Sequence, residues 1–291
     1  FDVGHQCYVH KMLTGRREAL SELRTYGGIA GFPKPCESGS DAFTAGHASS
    51  AVSVALGMAR ARTLSKEDYH VIALLGDGAL TGGLSYEGLN DAGASSEPLI
   101  VILNDNAMSI TPNVGGIASY LNLIRTKPGY FKLKRIWRKF ALGAPGGMFI
   151  YKIVHRLKES FKRHTLGINF FEEMGFQYMG PVSGHDITRL IYMLRRAKEM
   201  HCPVLLHVLT QKGKGYLPAE QNPDVFHGVG RFDPETGEVQ KGGPTFCDAF
   251  GEELVRLAAH DRRICAVTAA MRQGNSLDAF AETYPDRFFD V

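Results

Sequence analysis

Two polar triplets, Gly76-Asp77-Gly78 and Asn104-Asp105-Asn106, each stand directly after a short apolar run, at 71–75 and 99–103. Runs this short, bounded by glycine and polar turn residues, read as buried strands of a parallel sheet. Residues 84–94 leave room between them for a helix of about three turns. A β-α-β crossover of this kind is nearly always right-handed. It places Asp77 and Asn106 at the carboxyl ends of nearby strands, where open α/β sheets bind their ligands.

The residue types narrow the ligand. One carboxylate and one amide oxygen are hard ligands, but too few for an all-protein cage. Magnesium takes one or two protein carboxylates and fills its octahedron with phosphate oxygens and water. Gly78, without a side chain, lets backbone approach a bulky anion closely. A strand, a turn and a second strand with no ligand is the plainer alternative. Two triplets in register at adjacent strand ends favour a metal-bound diphosphate.

Alternation continues on both sides of this unit. Helical spacing of Val52, Leu56 and Ala59 predicts a helix over 48–62, with Gly46-His47 just before it. His47 then lies near free N–H groups that favour an anion. A helix at 170–174 ending at Gly175 in a left-handed cap comes next. Extended chain at 176–182, a helix at 186–200 capped by Asp186 and a strand at 204–209 follow. Residues 211–243, rich in Gly, Pro, Lys and Asp, read as a long functional loop and linker. Thr245 caps a further helix to 260, and 264–267 is another strand. The fold class is α/β, an open parallel sheet flanked by helices, followed by the start of a second α/β domain. The boundaries are 1–243 for the first domain, with an insert at about 111–165, and 244–291 for the second.

The chain has 291 residues, 44% hydrophobic and 22% charged, ordinary for a soluble α/β protein. No apolar run approaches the roughly 20 residues that span a bilayer. Phe1 opens without a basic or apolar leader, so no signal peptide is expected. Five scattered cysteines offer no zinc spacing and fit reduced thiols, with Cys265 a small core hydrophobe in a strand. The net charge of +3 is uneven, because residues 125–163 hold twelve Lys/Arg against one acid. Without that segment, 21 Lys/Arg face 29 Asp/Glu, a net of −8. The basic segment, with amphipathic helices expected at 130–140 and 149–161, fits a solvated face, a nucleic-acid or acidic-membrane surface, or a lid over the site. No nucleic-acid module accompanies it. Its charge could steer anions inward, which favours the lid.

The words Asp2-Val-Gly-His-Gln6, His10-Lys-Met-Leu-Thr-Gly-Arg-Arg17, Gly46-His47, Asn104-Asp-Asn-Ala-Met-Ser-Ile110 and Gly180-Pro-Val-Ser-Gly-His-Asp186 occur in order. Together with Gly-Asp-Gly and the downstream Asn, they resemble the 1-deoxy-D-xylulose-5-phosphate synthase family of thiamine-diphosphate enzymes. The likeness runs from the first residue to the last. It implies a thiamine-diphosphate-binding fold in which Asp77, Asn106 and the Met108 carbonyl bind Mg2+. Gly78 and Ala79 would contact the diphosphate through backbone. His5, Gly46, His47, Ala48, Asn106 and Tyr216 would line the cofactor. His47 and His227 would serve the reacting centre, histidine being able to donate or accept a proton near neutral pH.

Two departures stand out. Ala48 occupies a position where the family has serine, and Ser183 one where it has aspartate. His185-Asp186 therefore reads as a turn and helix cap. Lys212-Gly-Lys-Gly-Tyr216 lacks the strand and glycine spacing of a nucleotide-binding loop.

The resemblance implies condensation of pyruvate with D-glyceraldehyde 3-phosphate and release of carbon dioxide, on the way to isoprenoids, thiamine and pyridoxal. It also implies a homodimer in the cytoplasm, or in a plastid if a transit peptide preceded Phe1. The family's activating glutamate would lie just after Val291, its substrate-phosphate arginines further on, and one more cofactor histidine before Phe1. Alternatives are transketolase, a 2-oxoacid dehydrogenase subunit, or a non-catalytic cofactor-binding module that needs a partner chain.

Overall fold

The computed structural model describes residues 1–4, 7–108, 115–125, 170–239 and 242–291. His5 and the helices expected at 130–140 and 149–161 lie outside these residues.

Four strands, β1 (Ile72–Gly76), β2 (Ile100–Asp105), β3 (Gln177–Ser183) and β4 (Val204–Leu209), form one sheet in the order β1-β2-β4-β3. Every pairing is parallel. The apolar runs flanking the two triplets are therefore adjacent strands, with Gly76 opposite Asn104 and Asp105 opposite Leu209. In β4, Val204 to Val208 are all buried, as a central strand covered on both faces requires.

Side-chain alternation sorts the core into two layers. Ala73, Leu75, Val101, Leu103 and Leu205 face one side. There they meet the helices α2 (Ala51–Ser65), α3 (Gly83–Ala94), α4 (Gly115–Arg125) and α5 (Phe170–Glu173). Ile100, Val182, Val204, Leu206 and Val208 face the other side, against α6 (Ile187–Lys198). A short helix, α1 (Tyr8–Lys11), precedes all of these. Asp186 Oδ1 caps α6 by accepting from Arg189 N at 2.9 Å, as its sequence position predicts.

Three expectations need correction. The α2 helix begins at Ala51, three residues later than the periodicity indicates, because residues 47–50 turn to meet the chain start. The stretch assigned to an insert opens with a core helix, since α4 buries Leu121 and packs Ile117 and Tyr120 into the main cluster. Residues 211–243 contain helix α7 (Leu217–Gln221), with Pro218 in its first turn where a missing N–H costs nothing, and a 3₁₀ turn at Val225–His227.

After residue 243 the chain forms α8 (Phe246–His260), β5 (Ala266–Thr268), α9 (Asp278–Thr283) and β6 (Phe288–Asp290). Thr245 and Asp248 make a reciprocal capping box at the start of α8. β5 and β6 pair in parallel as a separate sheet with its own cluster of Ala258, Ala266, Leu277 and Phe280. Cys265 is exposed here, contrary to the expectation of a core thiol. Alternation turns Ala266 and Thr268 inward and leaves Cys265 and Val267 outside. All five cysteines are free. No described helix is long and apolar enough to cross a membrane.

One contact fixes how α3 meets the turn before β3. A Cβ on Gly93 would lie 1.8 Å from the Met174 carbonyl oxygen, and Gly175 beside it has φ +96°. Helix propensity alone favours alanine at position 93 by about 1 kcal/mol. Backbone overlap costs roughly 1–3 kcal/mol and wins. Gly93→Ala should therefore lower the denaturation midpoint, and a raised midpoint in urea unfolding would refute this packing.

Candidate functional site

Three chain segments converge at the carboxyl edge of β1 and β2. The first is the chain start. Asp2, 2% exposed, donates its N–H to Leu74 O at 2.8 Å, and Val3 donates to His47 O at 3.3 Å. The Asp2 carboxylate accepts from Ser49 N at 2.8 Å and from Ala51 N at 3.0 Å. It therefore occupies the α2 N-terminus that sequence reading left open for an anionic ligand. A carboxylate fits there because it meets unsatisfied amides and the positive end of the helix dipole.

The second segment carries Gly46, His47 and Ala48. His47 and Ala48 are exposed, and Gly46 is half-buried. Ser49 Oγ donates to Ala79 O at 2.8 Å, and Ser85 Oγ donates to the same oxygen at 2.8 Å. The His47 loop is thereby tied to the Gly78-Ala79 turn. Gly82 makes this crossing possible, since a Cβ there would sit 2.2 Å from Ser49 Oγ.

The third segment is the turn after β2. Asp77 Oδ2 accepts from Asn106 N at 3.2 Å, and its Oδ1 accepts from Gly78 N at 3.0 Å. Asp77 N donates to Asn104 O at 3.1 Å. Asp77 and Asn106 are therefore neighbours in space, as the register predicts. Asn106 Oδ1 accepts from Met108 N at 3.0 Å, which keeps the side-chain oxygen and the Met108 backbone in one turn. Ala107 takes φ +69°, and its N–H donates to Asp105 Oδ1 at 3.2 Å.

Asp105, absent from the sequence-based assignment, is 1% exposed and faces Asp77. Its Oδ2 accepts from His207 Nε2 at 2.8 Å, and His207 Nδ1 lies 2.7 Å from the Tyr178 hydroxyl. His207 is a polar residue in an otherwise apolar strand, the one sequence signal that could have revealed it. Burial, and then the Asp105 carboxylate, push Asp77 up to about 7. Lys212 is electrostatically close to both Asp77 and Asp224, and burial lowers its pKa.

His227 ends the 3₁₀ turn that Asp224 precedes, and Asp224 lies within electrostatic range of Lys212. Tyr216 engages its own loop. Its hydroxyl donates to Pro234 O at 3.0 Å and its ring centroid lies 5.6 Å from Phe226. His185 Nε2 accepts from Gln211 N at 2.8 Å, consistent with a turn residue.

Two buried carboxylates facing each other suit a divalent cation, which would relieve their repulsion. Among the described residues no group of three or more His, Cys, Asp or Glu could hold a metal. A cation at Asp77 would thus draw on Asn106 Oδ1, a backbone carbonyl and ligand oxygens, the mixed set magnesium accepts.

A family model described as 1-deoxy-D-xylulose-5-phosphate synthase matches residues 1–210. The chain belongs to this family. The 1-deoxy-D-xylulose-5-phosphate synthase of Heliobacterium modesticaldum is 51% identical over 294 residues, covering 100% of this chain and 45% of that protein. The enzyme of the same name from Caldanaerobacter subterraneus subsp. tengcongensis is 50% identical over 293 residues, with 100% and 47% covered. The chain thus spans less than half the length of these relatives. Among solved structures, the transketolase from Leishmania mexicana is 17% identical with a TM-score of 0.49, covering 98% of this chain and 39% of that one.

The raised Asp77 value has a definite sign. Between about pH 4 and pH 7 the folded chain holds a proton that the unfolded chain has released. Stability therefore falls as pH rises through that window and is level above it. Asp77→Asn should flatten this profile and stabilise the metal-free chain at pH 8 by on the order of 1–4 kcal/mol. Thermal unfolding across pH 4–8 measures it, and an Asn variant less stable than the parent at pH 8 would contradict the facing-carboxylate picture.

Proposed function

We propose that this chain carries the diphosphate- and metal-binding part of a 1-deoxy-D-xylulose-5-phosphate synthase. The observation that carries the reading is the placement of Asp77 against Asn106 at adjacent ends of paired parallel strands. Asp77, Asn106 Oδ1 and the Met108 carbonyl would hold Mg2+. The Gly78 and Ala79 backbone would receive the diphosphate of thiamine diphosphate. Gly46, His47, Ala48, Tyr216 and His5 would contact the rest of the cofactor.

Thiamine diphosphate, when bound, supplies the electron sink that lets a 2-oxo acid lose carbon dioxide. The chain's residues bind and orient. Lys212 adds positive charge beside Asp77, which favours an anion at the edge. His47 and His227 would hold or move protons at the substrate oxygens, a task suited to imidazole near neutral pH. The resemblance to this family supports pyruvate and D-glyceraldehyde 3-phosphate as substrates, transferase chemistry and a place in isoprenoid and thiamine synthesis. The family resemblance supports a homodimer and a cytoplasmic location. Two sheets with separate cores support a first domain at 1–243 and the start of a second at 244–291.

Calorimetric titration of the chain with thiamine diphosphate, with and without Mg2+, tests the site. Heat that requires Mg2+ and is lost in Asp77→Ala is the expected result. A folded chain that takes up the cofactor equally well without Mg2+, or with Ala at position 77, would overturn the assignment.

A further inference from the structure

A polar chain runs through the sheet to the back of the candidate metal site. It starts at the Tyr178 hydroxyl on β3, passes through His207 on β4 and ends at the Asp105 carboxylate on β2. His207 and Asp105 are 0% and 1% exposed. The strand neighbours of His207, Leu205, Leu206 and Val208, are apolar and buried. Aliphatic residues would fill such a position with no polar group to satisfy, and replacing buried polar groups by well-packed apolar ones is often neutral for stability.

The chain has a direction. Burial raises the Tyr178 pKa well above the ordinary phenol range, so its hydroxyl stays protonated. A carboxylate can only accept, so Nε2 of His207 carries the proton toward Asp105. Nδ1 then accepts from the Tyr178 hydroxyl. The ring of Tyr178 is held by Phe171, stacked at 6.2 Å and 3°. Gly180 lets β3 pass against His207, because a Cβ there would lie 2.5 Å from the His207 carbonyl oxygen. With one carboxylate oxygen taken by His207, the other oxygen of Asp105 meets the Ala107 N–H. Ala107 sits between Asn106 and Met108 in a left-handed conformation uncommon for a non-glycine residue.

We propose that His207 and Tyr178 are positioning residues of the metal site, fixing Asp105 so that the 106–108 turn presents the Asn106 and Met108 oxygens beside Asp77. The inference rests on the functional reading above. Partners of this kind behind metal ligands commonly set affinity.

The test is Mg2+ titration at saturating thiamine diphosphate, repeated with Ca2+, on the parent chain, His207→Leu, His207→Gln and Tyr178→Phe. Ligand-free thermal unfolding runs alongside. His207→Leu should weaken Mg2+ binding roughly 10–100-fold and reduce the preference for Mg2+ over the larger Ca2+. Tyr178→Phe should weaken it roughly 2–10-fold, the equivalent of one neutral hydrogen bond. His207→Gln, which keeps a donor toward Asp105, should recover most of the loss seen in Leu. A purely structural role would lower the unfolding temperature and leave the Mg2+/Ca2+ ratio unmoved. Parent-like affinity and ratio in folded His207→Leu sink the proposal while the site reading stands. If that variant does not fold, unchanged affinity in Tyr178→Phe sinks it instead. A parent chain that binds no Mg2+ with the cofactor removes the site reading and this inference together.

Discussion

Parallel strands send all their carboxyl ends to one edge, and in this chain that edge must bury charge. The β1-β2-β4 pairing brings Asp77, Asp105 and the 106–108 turn within hydrogen-bond reach of one another. An aspartate at the end of a buried strand loses water, and its cost is met only by donors or a cation. The arrangement of neighbouring segments follows from that requirement. The chain start folds back to β1 and bonds to the His47 loop, and β3 carries Gly180 where it passes His207.

The contrast with other buried acids shows how unusual Asp77 is. Asp41 accepts from Arg16 through both oxygens at 2.7 Å and also from Lys34 N. Arg16 holds its carboxyl far below the usual carboxylate range. Glu37, itself half-buried, takes the fully buried Lys11 ammonium at 2.6 Å. Asp2 is matched by two backbone amides. Asp41 and Glu37, whose pKa values are lowered, are built to stay ionised in the cofactor-free chain. Asp77 instead faces a second carboxylate, and its pKa moves the opposite way. A fold that satisfies its other buried acids and sets this one against another carboxylate has the electrostatics of a cation site.

Much of the fold was legible because its signals are local. Apolar runs between turn residues marked β1, β2 and β4, and the caps Asp186 and Thr245 marked helix starts that depend on side chains three residues away. Gly175 marked a left-handed turn. Asp77 and Asn106 were legible as a pair because strand ends in a β-α-β unit have predictable positions. The remainder depends on contacts distant in sequence. Asp2 caps α2 from 49 residues away, which delays the helix start. His207 meets Asp105 across 102 residues, so neither reveals its partner through spacing. Cys265 failed because a three-residue strand does not show which face is covered.

The same electrostatics constrain what the edge can accept. A diphosphate alone would bring negative charge toward Asp77 and Asp105, a repulsive approach in a site shielded from water. Lys212 offers one positive charge, already shared with Asp224 and Asp77 and lowered in pKa by burial. A divalent cation reverses the balance by screening the carboxylate pair and accepting phosphate oxygens in one step. Under the proposed reading, metal and diphosphate are therefore coupled ligands, each raising the affinity of the other by the same factor. The coupling needs Asn106 and the Met108 carbonyl at fixed distance from Asp77, and the left-handed Ala107 lies between them. The hydrogen bond from its N–H to Asp105 keeps it there, which makes the second carboxylate a structural part of the site and not merely a source of repulsion.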